Sequence, residues 1–128
     1  WKLTASHGAN KLGGCVDGNG KSRYDTGTPQ VPGMWVQVQL PSVSKVNRIQ
    51  LDSRSSVGDY PRGYQVESSV DGKKWSKPLA IGVGKHPVTD ISFPTTEAKF
   101  LKITQTGRVN GLFWSIHEMQ IFGKPVPR

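Results

Sequence analysis

The stretch Met34-Trp-Val-Gln-Val-Gln-Leu40 constrains this chain more than any other, because apolar and polar residues alternate through it without a fault. A period of two places Met34, Val36, Val38 and Leu40 on one face of a half-buried β-strand and turns their neighbours outward. A helix would scatter the same residues around its circumference. The pattern returns in Val46–Asp52 through Ile49 and Leu51, and in Gly63–Val70 through Tyr64, Val66, Ser68 and Val70. Asp71-Gly72 is a turn signal, and Lys73-Lys-Trp75 is expected to start the return strand. Further strands are expected at 79–83, 88–93, 98–104 and 116–122. No window shows helical periodicity, and 15 Gly with 9 Pro suit many turns. Short strands at this spacing predict an all-β antiparallel sandwich.

The closing strand carries a flaw. In Gly111-Leu-Phe-Trp-Ser-Ile-His-Glu-Met-Gln-Ile-Phe-Gly123, Ile116 stands at an even position while Met119 and Ile121 stand at odd ones. One face cannot hold all three unless the phase slips. An extra residue at His117-Glu118, a β-bulge, is the expected slip.

The 128 residues make one domain, long enough to bury a core without metal or disulfide staples. The domain is expected to span 1–123, with Lys124-Pro-Val-Pro-Arg128 as a Pro-rich tail or linker to a larger multidomain protein. Cys15 is the only cysteine, so no internal disulfide forms. Its small, apolar neighbours assign it to the core rather than to nucleophilic chemistry. No apolar stretch approaches the length of a bilayer span, and no signal or transit segment is recognised.

Charge narrows the partners. Seventeen Lys and Arg against nine Asp and Glu leave a formal +8, enough to attract polyanions. The basic residues are scattered rather than gathered, as suits lysines that guard strand edges. Catalytic classes fall away on spacing. His117-Glu118 lacks the second His one helical turn on, since position 121 is Ile. His7, His86 and His117 show no ligand spacing, and there is no nucleophile elbow, P-loop or Cys/His cluster. Asp52 with Asp59, or Asp17 with Glu118, could pair across a loop as glycosidase carboxylates do, but no signature surrounds them. The expectation is a non-catalytic binding module, and no recognised nucleic-acid module is present.

Loops on a rigid sandwich carry its sites. Three stand out: 17–34, 53–63 and 105–114. Around them the chain becomes familiar. Cys15-Val-Asp-Gly-Asn-Gly-Lys-Ser-Arg-Tyr24 resembles the opening of discoidin domains, also called coagulation factor V/VIII C-type domains. Gly33–Leu40 resembles their second strand, and Pro61-Arg-Gly-Tyr through Asp71-Gly-Lys-Lys-Trp75 their central hairpin. Trp114-Ser-Ile-His-Glu-Met-Gln-Ile-Phe-Gly123 is similar to their closing strand. Each motif alone is weak; four in the right order are strong. The resemblance implies an eight-stranded jelly-roll sandwich of the galactose-binding-like fold.

It also implies a structural calcium ion between the first loop and the last strand, at the positions of Asp17, Asn19, Ser22 and Glu118. Calcium takes six to eight oxygens, and carbonyls of the Gly18–Gly20 turn could complete the shell. The residues leave a second reading open, in which Glu118 pairs with Lys21 or Arg23 and Asp-Gly-Asn-Gly is a plain turn.

The implied fold gathers Tyr24, Tyr60, Phe113 and Trp114 at one rim, beside Arg54, Arg62, Arg108, Asp25, Asp59 and Asn110. Sugar rings stack their C–H faces on aromatics, and Arg pairs bidentately with carboxylate or sulfate. The expected ligand is therefore a glycan or polysaccharide, acidic or sulfated, with Arg54 and Arg108 foremost. The framework alternatives are equally concrete. Trp114 and Tyr24 could belong to the core, and Arg62 could pair with Asp59. Trp35 and Trp75, inside strand motifs, are assigned to the framework. Discoidin relatives also bind phospholipid headgroups or proteins, so an adhesion module is the alternative. Membrane anchoring is disfavoured, since the first loop offers only Val31 and Met34 for insertion. The resemblance further implies a secreted, periplasmic or cell-surface bacterial setting, as an accessory to a polysaccharide-degrading enzyme.

Overall fold

The computed structural model describes residues 1–16 and 22–126. The strands are β1 (Lys2–Ala5), β2 (Tyr24–Asp25), β3 (Met34–Asp52), β4 (Tyr64–Ser69), β5 (Ala80–Gly82), β6 (Val88–Gln105), β7 (Ser115–Ile116) and β8 (Glu118–Pro125). A 3₁₀ segment, Ala9–Cys15, follows β1; its Leu12 and Cys15 are buried, and the Cys15 thiol donates to the Leu12 carbonyl at 3.2 Å. The large sheet runs β1-β3-β6-β4-β5 with β8 also on β3, and β2 and β7 form a two-stranded sheet. Every pairing is antiparallel.

The fold hangs on two strands longer than expected. The expected pairs 34–40 with 46–52, and 88–93 with 98–104, are each one continuous strand. β3 and β6 lie side by side from Met34 opposite Gln105 to Asp52 opposite Val88. A straight ribbon of that length could not bury both halves in one core. Register shifts between Gln39 and Ser44, and between Val46 and Arg48, break it. Such irregularities bend a ribbon and change which side chains face inward. The phase change is visible: Met34, Val36, Val38, Leu40 and Val46 are buried at even positions, Ile49 and Leu51 at odd ones. The first half of β3 carries β1 and the part of β6 that pairs with β4, whereas the second half carries β8. Both halves feed one apolar cluster with Val66, Ile91, Leu101, Ile103 and Met119, which makes the ribbon a sandwich.

The flaw in the closing strand is a change of sheet, not a bulge. Ile116 pairs with Tyr24 in the small sheet, whereas Glu118 pairs with Asp52 in the large one. His117 is the crossing residue; its N–H donates to the Asp52 carbonyl at 2.8 Å and its side chain is buried. Leaving one layer and joining the other resets which parity faces the core, so Ile116 and Met119 are both buried.

Two further expectations are corrected. Lys73-Lys-Trp75 lies in the turn, where the Asp71 carboxylate accepts from the Lys73 and Lys74 amides at 2.8 and 3.0 Å; those bonds, with Ser69, hold its pKa below the usual carboxylate range. The return strand is β5, which pairs Ala80–Gly82 with Tyr64–Val66. At the other end, Lys124 and Pro125 pair with Lys45 and Ser44, so the sandwich runs past 123.

Candidate functional site at the loop rim

One buried glutamine builds the junction of the three loops. Gln30 is completely buried, and its Nε2 donates to the Tyr60 carbonyl at 2.8 Å and the Phe113 carbonyl at 3.0 Å. Its Oε1 accepts from the Arg62 amide at 3.1 Å, while its backbone N–H donates to Leu112 and its carbonyl accepts from Val109. A buried amide costs stability unless both ends are paired, and here both are. Gln105 does similar work one step away, bonding the Val31 and Gly107 carbonyls and the Gly107 amide. The loops also touch directly: a Cβ on Gly107 would stand 2.7 Å from the Arg62 Cβ, and one on Gly58 2.9 Å from the Leu112 side chain. Neither glutamine was foreseen, because a polar side chain buried by loop packing leaves no periodic trace in a sequence.

Over this junction sits a cation–π pair. The Arg62 guanidinium lies 3.8 Å from the centre of the Tyr60 ring, and its Nη1 donates to the Tyr60 carbonyl at 2.8 Å. Both side chains are part-exposed. Arg62 does not pair with Asp59, the framework role considered above. Arg108 and Asn110 are exposed and Phe113 is part-exposed on the neighbouring loop. Tyr60, Arg62, Arg108, Asn110 and Phe113 are thus on loops that the structure joins and leaves open to solvent.

The remaining candidates have other work. Tyr24 and Trp114 are fully buried and meet edge to face at 6.4 Å between centroids, so neither can stack on a ligand. The Tyr24 hydroxyl donates to the His7 carbonyl at 2.7 Å, and burial raises its pKa well above the usual phenol range. Asp25 is held by Lys11 at 2.7 Å and Arg23 at 3.2 Å. Asp59 accepts from the Ser115 hydroxyl and lies 3.6 Å from Arg23. Arg23 also donates to Ser56 Oγ at 2.8 Å, and that oxygen lies 2.7 Å from His117 Nε2. This chain of charges ties the loops to the sheet crossing rather than facing a ligand. Arg54 has a left-handed φ of 39°, an uncommon state for a residue with a side chain. It is fixed by Asp52, which accepts its amide at 2.8 Å and lies 3.6 Å from its Nε. With Gln50, Asp52, Val88, Glu118 and Gln120 it lines a pocket of about 70 Å³. Its contacts share nothing with those of Tyr60 and Arg62. Val31 packs against the core and Met34 lies within it, so neither protrudes.

Of the expected calcium ligands, Asp17 and Asn19 lie outside the described residues. Ser22 is part-buried. Glu118 presents a buried Oε1 with no hydrogen-bond partner among the described residues, and it shares a groove with Val16, the residue before Asp17. Arg23, one partner considered for Glu118, pairs with Asp25 and Asp59 instead. Among the described residues no three His, Cys, Asp or Glu converge as a metal group.

A jelly-roll sandwich that spends its core on packing and gathers aromatic and basic side chains on loops at one rim defines a class of binding domain. The chain belongs to the F5/8 type C domain family, whose model matches residues 3–119. Chitosan-binding module 1 from a chitosanase/glucanase of Paenibacillus sp. IK-5 is 26% identical, with a TM-score of 0.79 over 95% of this chain and 94% of that one. A CBM32 module from a family 31 glycoside hydrolase of Clostridium perfringens superposes at 0.79 with 21% identity, over 96% and 92%. The CBM32 of AlyQ, solved with 4,5-unsaturated mannuronic acid, gives 0.76 and 23% over 94% and 93%. The last two show a shared fold. No curated protein matches the chain.

Proposed function

We propose that this domain is a non-catalytic glycan-binding module whose site is the rim of Tyr60, Arg62, Arg108, Asn110 and Phe113. The observation that carries the reading is the Tyr60–Arg62 stack at 3.8 Å, locked from below by Gln30. A held aromatic face suits the C–H face of a sugar, and a held guanidinium suits an acidic substituent. The ligand class follows from charge. A chain at +8 repels a polycation such as chitosan and attracts a uronate or sulfated glycan. Such a module would serve a secreted or surface-exposed bacterial enzyme that degrades polysaccharide, holding it to its substrate.

A glycan array that includes neutral, uronic and sulfated polysaccharides identifies the ligand. Arg62→Ala and Arg108→Ala should then weaken binding about 10- to 100-fold each, the loss of one charge-assisted bond, while thermal unfolding stays nearly unchanged. Unaltered binding by both variants removes the rim from consideration. Binding to anionic liposomes with no glycan hit would instead establish the adhesion alternative.

The same reading includes a structural calcium ion held by Glu118 with Asp17, Asn19 and Ser22. The unpartnered Glu118 Oε1 beside Val16 supports it, since a buried carboxylate oxygen is costly unless a cation or donor meets it. The ion would pin the first loop to β8. At a hundredfold excess over its dissociation constant it would stabilise by about 2.7 kcal/mol. EDTA should therefore lower the melting temperature, and Glu118→Gln should abolish that response. Identical melting curves with calcium and with EDTA would reject the ion.

A further inference from the structure

The outward face of the large sheet has a composition that packing does not require. On β3, β4 and β6 the residues alternating with the buried set are Trp35, Gln37 and Gln39, Gln65 and Glu67, and Phe100, Lys102 and Thr104. The ladder registers place them in rows. Trp35 stands opposite Thr104, which stands opposite Gln65, which stands opposite Ile81 of β5. The next row is Thr4, Gln37, Lys102 and Glu67. Lys102 is its centre: its Nζ lies 5.3 Å from the Trp35 ring and 5.9 Å from the Trp75 ring. Both indoles are part-exposed.

We infer that this face, centred on Trp35, Lys102 and Trp75, is a second binding surface, and that its ligand is an extended acidic glycan chain. Part-exposed indoles offer stacking platforms for sugar rings, and the Gln37 amide with the Thr104 hydroxyl can exchange hydrogen bonds with sugar hydroxyls. An ammonium between two aromatic rings is held in place by both and keeps donors for an incoming carboxylate or sulfate. The surroundings are basic. Lys73, Lys74 and Lys77 are exposed around Trp75, and beyond Gln39 an open groove of about 430 Å³ is lined by Trp1, Lys2 and Lys99. Two acids share this region: Asp71 caps its own turn, and Glu67, opposite Lys102 in the ladder, accepts from Gln65 Nε2 at 3.3 Å and keeps its charge. The basic residues thus outnumber the acids rather than stand alone. None of these residues belongs to the rim, so the inference does not rest on the rim's reading. A flat sheet face suits the interior of a long chain, whereas loops at a rim suit an end or a branch.

Affinity electrophoresis in gels containing alginate, a polyuronate, or dextran sulfate tests the idea and separates carboxylate from sulfate recognition. Wild type should be retarded in at least one of these gels, and the loss of retardation caused by Lys102→Gln should be the same in an Arg62→Ala background as in the wild-type one, as independent sites require. Lys102→Gln and Trp75→Ala should bind at least about tenfold more weakly there, the loss of a charge-assisted contact or a stacking face. Should Trp75→Ala fail to fold, the indole N–H resonances of wild-type protein decide. Titration with the retarding polymer's oligosaccharide should move the Trp35 and Trp75 signals and leave that of buried Trp114 in place. The inference is overturned if neither polymer retards wild type, if Lys102→Gln is retarded as strongly as wild type, if Lys102→Gln adds no loss in the Arg62→Ala background, or if the Trp35 and Trp75 signals stay still.

Discussion

Two pairs, each built on a tyrosine, stand at the ends of the same loops and do opposite work. Tyr60 lies under Arg62 at 3.8 Å and is part-exposed. Tyr24 lies against Trp114 edge to face at 6.4 Å, and both are fully buried. Each pair contains a tyrosine; the partner and the depth differ. Tyr24 is in β2 and Trp114 immediately precedes β7, the small sheet that roofs the core. Their backbone bonds confirm that role: Thr26 donates to the Trp114 carbonyl at 3.1 Å, and its hydroxyl accepts from the Trp114 amide at 3.2 Å. Tyr60, by contrast, has its carbonyl pinned by Gln30 and its ring left to meet the Arg62 guanidinium. A loop-end aromatic thus keeps its ring open to solvent where its backbone, not its ring, provides the anchoring.

That contrast can be broken in order of expected effect. Trp114→Ala should be the most severe change, costing about 3–5 kcal/mol of stability as an aromatic removed from a close-packed core; a denaturant melt measures it. If Trp114→Ala instead left stability intact and removed glycan binding, the assignment of the two pairs would be reversed. Gln30→Leu comes next. It leaves the Tyr60 and Phe113 carbonyls and the Arg62 amide without their partner, at about 1–3 kcal/mol for each group that stays buried and unpaired. Because Gln30 anchors the rim, this variant should lose both stability and affinity, whereas Arg62→Ala loses affinity alone. A Gln30→Leu protein that binds glycan normally would show that the rim needs no such anchor.

The smallest effect is a titration. Burial is the main cause that raises the Tyr24 pKa, with Cys15 and Asp25 adding to it. A raised folded-state pKa means the neutral phenol is favoured in the native protein. Its contribution to stability is then complete below about pH 10 and is lost as pH rises beyond it. Melting temperature should fall through that alkaline range, and Tyr24→Phe should flatten the fall while forfeiting the bond to the His7 carbonyl. A slope unchanged by Tyr24→Phe would assign alkaline sensitivity to other groups.

The sequence by itself determined the class of fold and most of the core. Alternation in Met34–Leu40 put four side chains inward because a strand's geometry leaves no other choice, and all four are buried. It also exposed a real discontinuity at His117, since mixed parity among Ile116, Met119 and Ile121 admits no single continuous face. What the discontinuity was, a passage between sheets rather than a bulge, depended on which distant strands were available, β2 for one half and β3 for the other. The joining of β3 and β6 into one bent ribbon was likewise invisible, because register shifts are set by pairing partners rather than by local pattern. The candidate site was legible in the residue types its loops carry and not in which of them stay open to solvent. Arg, Tyr, Phe and Trp in the loops were plain to read, but only the tertiary structure drew Tyr24 and Trp114 inside, tied Arg54 to Asp52, and set Arg62 on Tyr60. Local sequence fixes the direction a side chain leaves its own strand; burial is a property of everything that closes over it, and that is decided by residues far away along the chain.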